Sequence, residues 1–463
     1  MSDPKLFNVE AEQAVLGFAM TSGDRVLELD LKPDHFFEPT HARLWASVLE
    51  LVDAGRVASP VALGTIHKSD EGLIELGGPP YLARMMSMAA STHGAKDTAQ
   101  LVRDLWSRRT ISEALRRSLD EIEGGNVYHS PQPAISSVEE AVSAAMVQAS
   151  NKPLVESPVS GLTDAIRAAQ HAHDQGGIVG TPTDLAQVDE LIGGMAPADM
   201  IVLAGRPSMG KTAVGLGIAW RAAMKGSGVF FASLEMPKAQ IWNRFLSWRL
   251  HEEEGLDVPY FAIRSGRLDQ DAFQAIARVA RGYTDLPILT AEKEARDFTR
   301  LRAAAFRARA VFSQGRFPLG LVVIDYLQLI EISGLKVGYE TVSAASNRIK
   351  ALAMDLGVPV IALSQLNRGV EQRDPPIPIM ADLRESGKIE EDADTVILLY
   401  RESYYIQKLL ERGHLELEEE ADARARLSDV KHQCKLLVEK SRAGPTGSVV
   451  IGYRPEINKV WSE

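Results

Sequence analysis

The stretch Gly205-Arg206-Pro207-Ser208-Met209-Gly210-Lys211-Thr212 decides the fold of the carboxyl-terminal part of this chain. It satisfies the pattern G-x-x-x-x-G-K-[ST], in which a glycine-rich turn joins a strand to a helix. The apolar run 200–204 (MIVLA) suits a buried strand, and residues 213–225 carry small and apolar side chains at helical spacing. The stretch therefore predicts a loop that binds the phosphate groups of a nucleotide.

The residue types of this loop suit phosphate chemistry. Its glycines let the backbone bend until N–H groups converge on phosphate oxygens, and the amino end of the next helix adds a favourable dipole. We expect Lys211 to reach the β and γ phosphates of ATP and Thr212 to bind Mg²⁺. The predicted nucleotide-binding residues of the loop are Gly205, Ser208, Met209, Gly210, Lys211 and Thr212. A glycine-rich turn with a solvated lysine is the alternative interpretation.

Length and composition are those of an ordinary soluble globular protein. The 463 residues allow two or three domains, and 45% apolar and 24% charged residues are typical proportions. The amino terminus lacks an apolar signal core, and no apolar run approaches the roughly 20 residues of a membrane span. We therefore expect a cytoplasmic protein without a membrane partner. Cys434 is the only cysteine, which excludes disulfides within the chain and cysteine-cluster metal sites.

The charge of the chain gives a mixed indication about nucleic acid. A net charge of −11 argues against a broad basic face, although it leaves room for a locally basic channel. Part of the acidity lies in residues 411–422 (ERGHLELEEEAD), which indicate a solvated helix face or an inserted loop. An acidic tail that binds a partner is the alternative interpretation.

The first part of the chain, residues 1–150, is predicted to be an all-helical domain. Apolar residues recur at three- and four-residue spacing in 10–20, 41–51 and 98–122. Residues 151–179 are predicted to be a linker with a short helix, whose Leu162 and Ile166 lie on one face. Because so short an apolar face does not stabilise a free helix, we expect it to dock on a neighbouring subunit. A simple spacer is the alternative.

Residues 180–463 are predicted to form an α/β domain. Helical segments alternate with apolar runs, which indicates a doubly wound, mostly parallel sheet. Residues 435–440 and 448–452, joined through a Gly-Pro-Thr-Gly turn, indicate a β-hairpin at the edge of that sheet. The predicted strands are 200–204, 229–233, 287–289, 319–324, 359–364 and 395–400. The helical segments between them include 238–250, 268–281, 296–312 and 344–356.

Two acidic residues follow buried strands of this predicted sheet. Asp325 ends the strand 319–324, at the sheet edge where α/β proteins bind ligands, and could hold Mg²⁺ together with Thr212. Glu235 follows the strand 229–233 and could polarise the attacking water as a general base. A helix cap is the alternative for Asp325, and an exposed loop carboxylate is the alternative for Glu235.

Further candidates follow two later strands. Gln365, after the strand at 359–363, could bond to water and to a γ-phosphate at once, although it could instead cap the next turn. Lys440 and Arg442 are two residues apart on the hairpin, so their side chains leave on one face. A cation pair at the sheet edge could reach a neighbouring subunit's phosphate loop as a finger supplied in trans. Solvated strand charges are the alternative for this pair.

The loop 382–388 (DLRESGK) is the remaining polar segment with a candidate role. Its arginine, lysine and free backbone N–H groups suit a sugar-phosphate backbone, which would give sequence-independent binding. A helix-capping loop would have a similar composition, and both interpretations are open on the residues alone.

Six ordered motifs extend the comparison beyond the phosphate loop. GRPSMGKT, SLEMP, VVIDYLQLI, ALSQLNR, DLRESGKIEEDAD and EKSRAGPTG occur in the order and at roughly the spacing found in DnaB-type replicative helicases, which nearly the whole chain resembles. The resemblance implies a RecA-like P-loop ATPase domain after a helical collar domain. It implies a homo-hexameric ring that uses ATP and Mg²⁺ to move 5'-3' on single-stranded DNA, with primase and a helicase loader as partners.

The resemblance also implies a role for each candidate residue. Glu235 would be the catalytic carboxylate, Asp325 the acid at Mg²⁺, and Gln365 the γ-phosphate sensor. Lys440 and Arg442 would act on the ATP of the adjacent subunit. The residues that would line the central channel at the DNA backbone are Arg384, Glu385 and Gly387. A ring can point such loops inward while its acidity stays outside, which reconciles the net charge with DNA binding.

Two other functions remain open on the sequence. A RecA-like recombination or repair ATPase would share the phosphate loop and Asp325, but it would not explain the helical amino-terminal domain and the DLRESG loop. A ring that scaffolds primase and loader would bind ATP without separating strands. The segment 404–432 looks longer than the usual connection in the family, and its spacing indicates helix.

Overall fold

The chain forms two compact units, residues Met1–Asp164 and Ala165–Glu463. The computed structural model describes residues 6–89, 92–124, 134, 137, 138, 141, 142, 158–336, 338–413 and 415–462. Residues 151–157 of the predicted linker lie outside this described part. Among the described residues, no helix combines the length and the apolarity needed to cross a membrane.

The amino-terminal unit is helical. Its helices are α1 (Val9–Ser22), α2 (Pro39–Asp53), α3 (Pro60–Ile66), α4 (Glu71–Glu75), α5 (Pro79–Ser87) and α6 (Thr92–Gly124). Three of them begin with a proline, whose missing N–H is not needed in the first turn. The periodicity predicted α1, α2 and α6 but missed α3, α4 and α5, because five to nine residues give too few turns to show a helical period.

The core of this unit surrounds Trp45, which is fully buried and donates to the Leu31 carbonyl over 2.9 Å. Three hydrogen-bonded polar side chains, Glu12, His41 and Tyr81, cross the same core. His41, also fully buried, contacts the Glu12 carboxylate over 2.8 Å and the Tyr81 hydroxyl over 2.7 Å. Because each of these side chains has a partner, burying these polar groups does not leave an unmet hydrogen bond.

The docking helix, predicted over residues 161–175, is observed as α7 (Pro158–Asp174), which starts three residues earlier and ends one residue earlier. The limit between the two compact units falls inside this helix. The two apolar side chains of its predicted face, Leu162 and Ile166, are 65% and 69% exposed. A helix that presents apolar groups to solvent in this way gains little stability from its own packing.

The carboxyl-terminal unit is built on one nine-stranded sheet with the order β3-β2-β4-β5-β1-β6-β7-β8-β9. The first six strands pair in parallel, and the last three are antiparallel. The strands are β1 (Met200–Gly205), β2 (Gly228–Ser233), β3 (Ile288–Ala291), β4 (Leu319–Asp325), β5 (Val360–Gln365), β6 (Thr395–Tyr400), β7 (Gln433–Ser441), β8 (Gly447–Arg454) and β9 (Lys459–Ser462). The mostly parallel α/β architecture is the predicted one.

Helices cover both faces of this sheet. They are α8 (Ala186–Ile192), α9 (Lys211–Met224), α10 (Lys238–Glu254), α11 (Tyr260–Ser265), α12 (Gln270–Arg281), α13 (Phe298–Ser313), α14 (Tyr339–Leu356), α15 (Gly387–Asp392), α16 (Glu402–Arg412) and α17 (Leu417–Val430). Successive residues of β1 alternate between two cores, because strand side chains point to opposite faces. Val202 packs toward α13 and α14, and Leu203 packs toward α9 and α10.

Two differences from the sequence prediction concern the end of the chain. The predicted hairpin exists as β7 and β8, but it is not the sheet edge, because β9 pairs with β8 and takes that place. The sequence analysis missed β9, since a strand of four residues shows little alternation. The segment 404–432 is helical as predicted and forms α16 and α17, which the Glu402–Arg426 ion pair connects over 2.7 Å.

Candidate nucleotide site

The register of the sheet brings four strand ends together. Gly205 at the end of β1 lies beside Gln365 of β5, and Ser233 at the end of β2 lies beside Asp325 of β4. Because the strands are parallel, their carboxyl ends share one edge, where the following loops converge. A pocket of about 470 Å³ opens at this edge, and seven of the predicted site residues line it: Ser208, Gly210, Lys211, Thr212, Glu235, Asp325 and Gln365.

The loop between β1 and α9 has the strained backbone of a phosphate cradle. Ser208 and Gly210 have φ angles of 69° and 98°, a region that favours glycine. A Cβ added to Gly210 would lie 2.9 Å from the ring of Tyr453, so the position has no room for a side chain. Lys211 Nζ donates to the Gly205 carbonyl over 2.7 Å. Burial lowers the pKa of Lys211 to about 8, while Asp325 and Glu235 favour its charged form.

Thr212 and Asp325 lie next to each other, as the sequence predicted. Thr212 Oγ1 donates to Asp325 Oδ2 over 2.9 Å, and Asp325 is only 1% exposed. Burial raises the pKa of Asp325 to about 6, and the nearby Glu235 adds to this effect. A hydroxyl and a carboxylate are hard oxygen ligands, so the pair fits Mg²⁺ with a bound phosphate supplying further oxygens. Among the described residues, no group of three or more His, Cys, Asp or Glu could hold a metal.

We expect Asp325→Asn to raise the thermal unfolding midpoint of the nucleotide-free protein at pH 8. The pKa of Asp325 is about 6 in the folded protein, against about 3.9 in an unfolded chain. Because folding raises this pKa, the Asp325 carboxyl group contributes less to the free energy of unfolding as the pH rises from about 4 to above 6. The loss is up to about 3 kcal/mol. Asparagine keeps the size and has no charge to bury.

Calorimetry with a chelator present, at pH 5 and pH 8, checks this expectation. The variant's unfolding midpoint should exceed that of the wild type by more degrees at pH 8 than at pH 5. Asp355→Asn is the control, because Asp355 is 38% exposed and paired with Arg302. A variant that unfolds at a lower temperature than the wild type at pH 8 would contradict the expectation.

Glu235 and Gln365 face the same pocket from two strands. Glu235 is exposed, two residues after the end of β2. Gln365 is the last residue of β5, and its backbone N–H donates to Gln328 Oε1 over 3.2 Å. Gln328 in turn donates to the Ser364 hydroxyl over 2.9 Å. One carboxylate and one amide therefore line the same pocket as the phosphate loop.

Several pocket residues were not predicted from the sequence. Arg401 follows β6 and donates to the Ser208 carbonyl over 2.9 Å, and its guanidinium lies 4.9 Å from the ring centroid of Tyr453. Arg244 lies 4.4 Å from the ring centroid of Tyr260 on another side of the pocket. Arg401 carried the same signal as Asp325, a polar residue at the end of a buried strand. Arg244 lies inside a helix and carried no such signal.

The second residue of the phosphate loop links it to the loop after β5. Arg206 is 8% exposed; its Nε donates to Glu371 over 3.0 Å and its Nη1 to the Leu366 carbonyl over 2.8 Å. The next residue, Asn367, donates its backbone N–H to the Asp382 carbonyl over 3.0 Å. A short chain of hydrogen bonds therefore joins the phosphate loop to the predicted DNA-contacting loop.

Lys440 and Arg442 do not line the pocket of their own chain. Lys440 lies in β7 and donates to the Glu390 carbonyl. Arg442 lies one residue beyond the end of β7 and donates to the Glu391 carbonyl over 3.0 Å and to Asp394 Oδ1 over 3.0 Å. The two cations thus meet at the carboxyl end of α15, on the same side, as the alternation of the strand predicted.

The predicted DNA-contacting loop is anchored at its start. Asp382 accepts from the Ile379 N–H over 2.7 Å and pairs with Arg373. Arg384 and Glu385 belong by their backbone to a short 3-10 helix, Met380–Ser386, and their side chains lie outside the described part of the structure. Gly387 is exposed and begins α15.

Comparison with known families covers nearly the whole chain. The family DnaB-like helicase C terminal domain matches residues 180–462, and the family DnaB-like helicase N terminal domain matches residues 4–104. The Replicative DNA helicase DnaB of Rickettsia felis is 30% identical over 475 aligned positions, which cover 98% of this chain and 92% of that protein.

Solved structures give the same result. One described as a DnaB-like replicative helicase and its interactions with primase has 26% identity and a TM-score of 0.63, and covers 98% of this chain and 100% of that one. A second, described as an ATPase domain, has 26% identity and a TM-score of 0.56, over 67% of this chain and 99% of that one. With the six motifs in order, two matching family domains and a pocket that unites the predicted residues, the chain belongs to the DnaB-like helicase family.

Proposed function

We propose that this chain is an ATP-driven replicative DNA helicase that forms a hexameric ring and moves 5'-3' on single-stranded DNA. One observation carries the proposal most strongly. The pocket at the carboxyl edge of the sheet unites the phosphate loop, the Thr212–Asp325 pair, Glu235 and Gln365. These groups provide phosphate binding, metal binding, water activation and phosphate sensing in one place.

Within the pocket each group has one proposed task. Lys211 and the N–H groups of the loop, which runs from Gly205 through Met209 to Thr212, bind the β and γ phosphates. The positive φ angles of Ser208 and Gly210 shape the backbone for this task. Thr212 and Asp325 would hold Mg²⁺, which would supply positive charge to neutralise the phosphates. Glu235 accepts the proton of the attacking water, and Gln365 holds that water and the γ-phosphate in line.

Lys440 and Arg442 are proposed to complete the site of the adjacent subunit. Their side chains lie away from the pocket of their own chain, and Arg442 is 55% exposed. An arginine supplied in trans stabilises the charge of the transition state for phosphoryl transfer. This task requires neighbouring subunits, and a closed ring provides each pocket with one such neighbour.

The same ring would use α7 as a connection between subunits. Leu162 and Ile166 are exposed on one face of this helix, and burying both would favour docking by roughly 3 kcal/mol or more. We propose that this face of the predicted linker 151–179 docks on the ATPase unit of a neighbour.

DNA is proposed to contact the loop at Arg384, Glu385 and Gly387. Its anchor, Asp382, is held by hydrogen bonds from Ile379 and Arg373. The exposed Gly387 offers backbone without a side chain in the way, which suits contact with phosphates. Primase and a helicase loader are proposed as protein partners; one solved relative is described together with its interactions with primase.

Unwinding of a forked DNA duplex tests the proposal. We expect the wild type to separate the strands with ATP and Mg²⁺ when a free 5' tail is present, and not when only a 3' tail is present. Lys211→Ala should bind no ATP productively and should separate no strands. Lys225→Ala is the matched control, since Lys225 pairs with Asp184 on the surface over 2.6 Å.

The outcome separates this proposal from its alternatives. Nucleotide binding and ring assembly without strand separation, even with a loader supplied, would favour a scaffold for primase and loader. DNA-dependent hydrolysis without a preference for forked DNA would favour a recombination or repair ATPase.

A further inference from the structure

We propose that Asp394, together with the carboxyl end of α15, positions Lys440 and Arg442 for the neighbouring ATP and fixes them to the DNA-contacting loop as one block. This inference rests on the proposed function. It adds a positioning residue, Asp394, that the motif comparison leaves without a role.

Asp394 lies at the junction of four elements. It stands between α15 and β6 and is 6% exposed. Its Oδ1 accepts from Arg442 Nη1 over 3.0 Å. Its Oδ2 accepts from Lys350 Nζ of α14 over 2.6 Å and from the Met200 N–H of β1 over 2.8 Å. A buried carboxylate with three donors has one orientation, so it can hold a side chain in place.

Backbone hydrogen bonds strengthen the same junction. The Asp394 N–H donates to the Met200 carbonyl over 2.9 Å, and the Arg442 N–H donates to the Asp394 carbonyl over 2.9 Å. Asp394 is thus bonded both to the first residue of the strand that carries the phosphate loop and to Arg442. Its environment is set before any neighbouring subunit arrives.

The carboxyl end of α15 holds the same two cations. Lys440 donates to the carbonyls of Glu390 and Glu391, and Arg442 donates to that of Glu391. Carbonyls at a helix end have no partner within the helix, so they accept such donors readily. Burial lowers the pKa of Lys440, and the positive charge of Arg442 lowers it further.

These contacts leave Arg442 able to act elsewhere. The side-chain bonds use Nη1 and Nη2 once each, whereas a guanidinium carries five N–H donors. More than half of the side chain, 55%, is exposed. The guanidinium of Arg442 is therefore held in one orientation and still has N–H donors for another partner. A finger that reaches a neighbour's phosphate needs both properties.

The position of α15 connects this block to DNA. Helix α15 begins at Gly387, the last of the predicted DNA-contacting residues, and ends two residues before Asp394. Ser346 of α14 donates to Asp392 Oδ2 over 2.8 Å, which fixes the end of α15 against α14. The loop and the two cations therefore move only together with the ATPase unit that anchors them, and the DNA contact of one subunit sets the aim at the ATP of the next.

Asp394→Asn in the full-length protein tests the inference. The variant keeps the size of the side chain but turns an N–H donor toward either Arg442 or Lys350. We expect unchanged affinity for a fluorescent ATP analogue, because the variant's own phosphate loop is intact. DNA-stimulated hydrolysis should fall about 10²-fold, as expected for a misaimed group. Asp355→Asn, which changes a partly exposed carboxylate of α14, should hydrolyse ATP like the wild type.

Mixing of variants separates positioning from a merely structural role. Rings formed from Asp394→Asn and Lys211→Ala subunits should regain hydrolysis, since an intact phosphate loop of one variant meets intact cations of the other. Rings of Asp394→Asn and Arg442→Ala should stay inactive, because both supply defective cations. Absence of recovery in the first mixture would overturn the inference.

The remaining outcomes distinguish the inference from the function on which it rests. If Asp394→Asn hydrolyses ATP at the wild-type rate while Arg442→Ala is inactive, only the positioning role of Asp394 is overturned. Wild-type hydrolysis by both variants overturns the role in trans, and no hydrolysis by the wild type overturns the proposed function. If Asp394→Asn binds no nucleotide, Ser346→Ala is tested in its place. This variant removes the hydrogen bond from Ser346 to Asp392 and loosens α15, while Asp394 keeps its own contacts. Unchanged DNA-stimulated hydrolysis by Ser346→Ala would then overturn the inference.

Discussion

Glu235→Gln is expected to lower ATP hydrolysis about 10³-fold while nucleotide binding is retained. The amide keeps the size and the position of the side chain at the pocket mouth, but it does not accept a proton from water. Lys211, Thr212 and Asp325 keep their contacts, because their hydrogen bonds run to the Gly205 carbonyl and to one another. Binding and hydrolysis should therefore separate cleanly in this variant.

Steady-state hydrolysis and titration of a fluorescent ATP analogue measure the two effects. Glu411→Gln is the matched control, since Glu411 is an exposed carboxylate on α16 outside the pocket. If Glu235→Gln hydrolysed ATP as fast as this control, Glu235 would be an exposed loop carboxylate without a catalytic role, and another group would have to activate the water.

Arg442→Ala is expected to lower hydrolysis about 10³-fold or more, again with nucleotide binding retained. Its side chain lies outside the pocket of its own chain, so the loss would have to arise at a neighbour's pocket. Mixed with Lys211→Ala subunits, the variant should regain part of the activity, because each defect then lies on a different side of the shared site.

Arg426→Ala is the matched control for this experiment. Arg426 is 55% exposed, as Arg442 is, and pairs with Glu402 on the helices of the 404–432 segment. Its removal should leave hydrolysis unchanged. Two inactive variants that stay inactive when mixed would show that Arg442 does not act across a subunit boundary.

The sheet and half of the pocket could be predicted from the sequence because parallel strands are buried on both faces. Their apolar runs are continuous, so the runs at 200–204 and 319–324 match β1 and β4 to within one residue. The residues that follow such runs meet at one edge, and this rule predicts Asp325 and Gln365 beside the phosphate loop, where both lie.

Other parts of the site depend on contacts between distant residues. Asp394 and Arg442 are 48 positions apart, and they meet only because β7 pairs with β6 in a particular register. No local pattern encodes that register, which arises from side-chain packing across the sheet. Arg244 contributes from the middle of a helix, where a polar residue usually indicates only a solvent-facing position.

The place of β7 in the sheet has a mechanical consequence. Strands β1, β6 and β7 are neighbours in one hydrogen-bonded sheet, so two strand spacings separate the strand of the phosphate loop from the strand of the cations, a span of about 10 Å. Because packed sheets deform little, the distance between β1 and β7 stays constant. In the proposed ring, a subunit could then advance its neighbour only by tilting as a whole. The angle between neighbouring ATPase units would then determine when the cations of one unit reach the ATP of the next, and thus when that ATP is hydrolysed.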